Sequence, residues 1–156
     1  MEEIVPLISS SVAGPLGVLH LPRLWLKILL HASGRLPEGY RHGAGGFDGL
    51  LCERLGIDAA AFIAFIEGER PDYLALEAWV TQHARDLSPH AIAAFNDRIR
   101  TGNMGDENAA KARARFKVAD DTFANAIALN NLDDWSLAHA AVTAAGRIAD
   151  GSKKSG

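Results

Sequence analysis

The chain has 156 residues, 48% hydrophobic and 22% charged, which fits one globular domain and excludes a wholly disordered chain. Its formal net charge of −3 leaves no basic footprint for nucleic acid. Cys52 is the lone cysteine, so an internal disulfide is excluded, and a reducing cytoplasm suits it.

The N-terminal stretch "MEEIVPLISSSVAGPLGVLHLP" is apolar, yet it opens on Glu2 and Glu3 where an export signal carries basic residues. Pro6, Gly14 and Pro15 interrupt it, and no uncharged apolar run reaches the roughly 18 residues of a membrane span. An irregular segment packed on the core of a soluble protein is expected. Pro22 then opens a first helix that stops at Gly34. A glycine-dense segment runs to about Gly46, and a short helix follows from Phe47 to Leu55, closed by Gly56. Asp58 caps the next helix, "AAAFIAFIEG", which ends at Gly68.

A fourth helix begins near Pro71 and Asp72 and carries Leu76, Trp79, Val80 and His83. Ser88 caps a fifth with Pro89 at its first position; Ile92, Phe95 and Ile99 form its apolar stripe. From Asp106 to Leu129, Ala109, Ala112, Phe116, Ala119, Phe123 and Ala126 share a face. "NNLDDW" is expected to break that run, with Trp135, Ala138 and Val142 starting a last helix. Tyr73, Trp79, Phe95 and Trp135 fall on apolar stripes and are expected in the core. Only "VAGPLGVLHL" resembles a strand, and its glycines and proline argue against one. The fold class is therefore all-α, a single compact domain of six to eight helices over residues 1–150. A Gly-rich loop separates the first two helices, and 151–156 form a disordered tail.

Within "HLPRLWLKILLHAS", His20, Arg23, Lys27 and His31 recur at helical spacing and make one narrow polar stripe. The remaining faces are apolar, as in a buried helix. Burying Arg23 and Lys27 without partners costs several kcal/mol per ion, so the stripe has to meet water, carboxylates or an anion. Three arrangements satisfy this. The stripe is the exposed edge of a half-buried helix, or it pairs with acids such as Asp48 or Asp133, or it is the basic wall of a ligand pocket.

Residues 34–49, "GRLPEGYRHGAGGFDG", make a long connection for two helices, and long ordered loops tend to carry function. Returning along the first helix, the loop would set Tyr40, His42 and Asp48 opposite Arg23, Lys27 and His31. Asp48 also has a purely structural role open to it, capping the positive end of its own helix. No phosphate loop or dinucleotide fingerprint fits these glycines. His20, His31, His42 and Asp48 are conceivable metal ligands, but no paired-histidine motif occurs and adjacent Arg23 and Lys27 repel a cation. No metal and no cofactor are expected. Cys52, between leucines, is expected to be a buried small hydrophobe.

"LPRLWLK", "GRLPEGY", "GFDGLLCERLGIDAAAF", "LEAWV", "SPHAIAAFN" and "NLDDW" resemble, in order and spacing, a bacterial domain-of-unknown-function family, number 5069. The likeness runs from about Gly14 to Trp135. Leu21-Pro22-Arg23, Lys27, Tyr40, Asp48, Leu55-Gly56-Ile57, Trp79 and Asp133-Asp134 match its recurring elements, whereas Gly-Gly-Phe-Asp replaces a Pro-Leu-Asp-like approach. The resemblance implies an α-helical, cytoplasmic, bacterial protein and carries no activity.

From the residues, the expected function is a small enzyme or binder for an anionic carboxylate- or phosphate-bearing metabolite. It would use cofactor-independent lyase, isomerase or hydrolase chemistry. His20, Arg23, Lys27 and His31 would bind the anion, and Tyr40, His42 and Asp48 would move protons. The alternative is a non-enzymatic helical interaction protein. Neither membrane nor nucleic acid is expected as a partner, and a homo-oligomer through the C-terminal helices is compatible with the sequence.

Overall fold

The computed structural model describes residues 1–120 and 123–151, with 145–151 as backbone only. Seven helices occur among the described residues: α1 Leu21–Ala32, α2 Gly46–Leu55, α3 Ala59–Glu69, α4 Tyr73–His83, α5 Pro89–Arg100, α6 Asp106–Phe116 and α7 Ala126–Gly151. No sheet forms among them, and "VAGPLGVLHL" contributes only the isolated bridge Ala13–Leu19. No helix among the described residues is long and apolar enough to cross a membrane.

Several helix ends follow directly from local chemistry. The carboxylates of Asp58 and Asp72 and the hydroxyl of Ser88 accept from the N–H three residues on, which satisfies donors that the first turn leaves free. Gly56 ends α2 in the left-handed region, at φ 63°. The core is a single cluster built on α1. Leu21, Leu24 and Ile28 are fully buried against Leu51 and Leu55 of α2, Phe62 and Ile66 of α3, and Leu76 and Val80 of α4. Phe95 and Ile99 of α5 close it.

Side chains of α4 and α5 help to hold the irregular residues 1–20 on this core. The Leu16 N–H donates to both carboxylate oxygens of Glu77, at 3.1 and 3.2 Å. Asn96 accepts from the Leu19 N–H and donates to the Gly17 carbonyl. Buried backbone without a regular partner strand is thus satisfied by side chains of α4 and α5.

The C-terminal third departs from expectation. "NNLDDW" does not break a helix; it lies inside α7, and the interruption falls earlier, where Lys117 leaves α6 in the left-handed region at φ 56°. Asparagine and aspartate are only mild helix formers, and with no glycine or proline in the run tertiary contacts override them. Trp135 is not core: it stands 59% exposed on α7. The expected tail at 151–156 lies outside the described residues except for Gly151, which ends α7.

Candidate functional site

His20 precedes α1 as its N-cap residue, adopts a left-handed backbone (φ 69°) and uses its side chain for no cap. That conformation costs a non-glycine residue about 1–2 kcal/mol. The ring is committed elsewhere: Nδ1 lies 2.8 Å from the Ser10 hydroxyl and Nε2 lies 2.7 Å from Asp48 Oδ1. An ionised carboxylate only accepts, so Nε2 carries the proton and Nδ1 receives the hydroxyl hydrogen. The order Ser10–His20–Asp48 has the look of a nucleophilic triad. Ser10, however, is 1% exposed and does not line the neighbouring cleft, so it orients the ring.

Along the stripe, Lys27 Nζ donates to Asp48 Oδ1 at 2.6 Å and Oδ2 at 2.8 Å. The Gly43 N–H reaches Oδ2 at 2.9 Å. Only glycine suits position 43, because φ is 123° and a Cβ there would fall 2.5 Å from Ile63 Cδ1. Arg23 forms a fork with Asp134, at 2.6 and 3.1 Å, and also donates to the carbonyls of Pro6 and Ile8. The Tyr40 hydroxyl donates to Asp134 Oδ1 at 2.6 Å, with the Arg23 guanidinium 5.9 Å from the centre of its ring. His20, Arg23, Lys27, Asp48 and Asp134 are each no more than 5% exposed.

Two of the sequence alternatives are thereby corrected. The stripe is no exposed edge at His20, Arg23 and Lys27, because carboxylates cover all three heads. Asp48 does not cap α2: both its oxygens are turned to α1 and to Gly43. The acid that meets Arg23 is Asp134, whereas Asp133 pairs with Arg115 at the surface.

The glycine-bearing loop does return along α1, in register with the stripe. Asp48 meets His20 and Lys27, and Tyr40 meets Arg23 through their shared Asp134. His42 stacks on His31 with ring centres 3.6 Å apart. His31 also approaches Glu67 at 3.4 Å. The His31–His42 pair lies apart from the other five residues, because neither ring lines the cleft in which they meet.

That cleft has a volume of about 940 Å³. His20, Arg23, Lys27, Tyr40, Asp48 and Asp134 line it, together with Arg41, Lys111 and Arg115. Ser10, Gly43 and Asp134 are the participants that sequence reasoning missed. Ser10 and Gly43 carry no pattern of their own; Asp133-Asp134 stands among the elements of the family resemblance, but no spacing assigns Asp134 to Arg23.

Electrostatics follow from burial opposed by partners. Burial pushes the His20 pKa below its ordinary 6.5 despite the hydrogen bond to Asp48, so the ring is neutral near pH 7. Burial likewise lowers Lys27, against the pull of Asp48. For Asp48, burial works upward, but the His20 hydrogen bond and the Lys27 charge outweigh it and hold the carboxyl below 3.8. Burial and the hydrogen bond to Asp134 raise the Tyr40 phenol. Cys52 is pushed up to about 11, chiefly by burial, which makes it a poor nucleophile.

The pH consequence has a definite sign. Both His20 and Asp48 have folded pKa values below their unfolded ones, so each stabilises above its unfolded value and loses that contribution on acidification. Urea midpoints are expected to be flat from pH 8 to 7, to decline as the pH falls below 6.5, and to decline further below 3.8. A midpoint that rises between pH 7 and 5 would contradict the assignment of a neutral, buried His20.

Fold and site together define an all-helical domain with two buried, hydrogen-bonded ion pairs on the floor of an open cleft. The family model described as Domain of unknown function (DUF5069) matches residues 8–135, and the chain belongs to that family. Every residue from Ser10 to Asp134 in the network falls inside the match. No curated protein matches the chain.

Proposed function

We propose that this is a small-molecule enzyme or binder for an anionic metabolite, using cofactor-independent acid/base chemistry of a lyase, isomerase or hydrolase type in a bacterial cytoplasm. The observation that carries the reading is a concentration of ionisable groups on a concave surface of ligand size. Sign supports the anion. The whole chain is net −3, yet the cleft is lined by Arg23, Lys27, Arg41, Lys111 and Arg115 against Glu38, Asp48, Asp133 and Asp134. Because Arg23, Lys27, Lys111 and Arg115 already hold carboxylates, the rim cation Arg41 is the one to meet a ligand charge. Gly46 and Phe47, at the positive end of α2, line the same space.

A thermal-shift series with small carboxylates and phosphates tests this. A ligand at 100 times its Kd stabilises by about 2.7 kcal/mol. Arg41→Gln, at an exposed position, is expected to fold as wild type and to lose most of that shift. If no anion shifts wild type, the reading fails. The second reading, a helical interaction protein, then gains, because Trp135 and Val142 stand exposed on α7 without cover from the described residues.

A further inference from the structure

Bonding capacity on the cleft floor is unevenly spent. Asp48 Oδ1 accepts from His20 and Lys27, and Oδ2 accepts from Lys27 and Gly43, so both oxygens are full. Both His20 nitrogens are engaged, by Ser10 and Asp48. Arg23 is shared among Asp134, Pro6 and Ile8. Arg23 retains N–H donors but no nucleophilic lone pair, and neither Asp48 nor His20 has a free valence to offer a substrate. Lys27 does: an ammonium has three N–H bonds, and among the described residues Asp48 is its acceptor on one side alone.

The two ion pairs also differ in chemistry. A guanidinium keeps its proton and makes a permanent fork, which is what Arg23 does with Asp134. An ammonium placed in a buried, cleft-lining position can give up its proton and become a nucleophile.

We propose that Lys27 forms a Schiff base with a small 2-oxo carboxylate held in this cleft, an inference that rests on the anion-binding reading above. The ammonium first gives a proton to cleft water. The amine lone pair then attacks the carbonyl carbon, the C=O electron pair moves to oxygen, and a proton passes from nitrogen to that oxygen. The hydroxyl takes the proton back from water and leaves as H2O while the nitrogen lone pair closes C=N. Ammonium and carbonyl have become a protonated iminium and one water, with charge unchanged. Asp48 faces a nitrogen cation before and after, so no buried charge is stranded. The iminium then draws electrons from the neighbouring carbon, which suits decarboxylation, proton abstraction or carbon–carbon cleavage.

Reductive trapping tests the inference on wild-type protein. Pyruvate or glyoxylate is added with cyanoborohydride at pH 7, and tryptic peptides are mapped by mass spectrometry. The adduct is expected on Lys27 at least about tenfold above the exposed Lys111 and Lys117. Lys27→Arg, which keeps a cation for Asp48, is expected to melt near wild type and to lose the adduct. Label spread evenly over the exposed lysines, with none enriched on Lys27, overturns the proposal; the wild-type map decides this even if the variant does not fold. If pyruvate raises the melting temperature without labelling Lys27, the Schiff base is wrong and the anion site stands. If it does neither and no other anion stabilises the protein, both fall.

Discussion

Asp48→Ala is expected to destabilise the fold by about 3–5 kcal/mol, the range for removing one partner of a buried pair. The substitution strands the Lys27 ammonium, the His20 N–H and the Gly43 N–H around one void. Lys27 and His20 are 5% and 2% exposed, so the little water that reaches them from the cleft does not replace the four hydrogen bonds the carboxylate accepts. Chemical denaturation monitored by circular dichroism measures the loss, and a midpoint shift at unchanged slope identifies it as stability rather than altered compactness. The double change Asp48→Leu with Lys27→Met removes both charges and is expected to recover the part of that loss due to the unpaired ion, while the His20 and Gly43 N–H groups stay without their acceptor. A loss under about 1 kcal/mol for Asp48→Ala would place Lys27 in solvent and remove the case for a buried pair.

Asp134→Ala is expected to cost about 3 kcal/mol, at the lower end of the same range. The Arg23 guanidinium loses its fork but keeps the carbonyls of Pro6 and Ile8, and Tyr40 loses its acceptor. Asp134 also ties α7 to α1, so amide exchange in the first turns of α7 is expected to accelerate beyond the global change. Asp133→Ala supplies the control. Its pair with Arg115 is at the surface, and its loss is expected to stay within about 0.5 kcal/mol. Equal effects at the two neighbouring aspartates would mean that Arg23 does not depend on Asp134.

Much of the fold was legible because its signals are local. Asp58, Asp72 and Ser88 cap helices by bonding three residues ahead, and Gly56 stops α2 by its own φ. The His20–Arg23–Lys27–His31 stripe was legible for the same reason, since helical spacing alone places those residues on one side. The loop was legible in part: its length and the reversal of the chain placed Tyr40, His42 and Asp48 against α1. The pairing of His42 with His31, away from the cleft, was not written in any spacing.

What each stripe residue faces depended on contacts far apart in the chain. Lys27 meets Asp48 across 21 residues, and Arg23 meets Asp134 across 111. No capping rule or periodicity reaches that far. Asp48 shows the limit most clearly: the same residue at the start of α2 can turn back to cap its own helix or out to a neighbour. The choice falls to the angle at which α2 packs on the core and to the Gly43 backbone beside it. By itself the sequence determined the first five helices, most of their ends and the polar stripe on α1, because the responsible groups lie within a few residues of one another. Tertiary structure alone decided that the stripe is neutralised, by which carboxylates, and that Lys27 keeps a free bonding direction, because burial and charge pairing are properties of the packed chain.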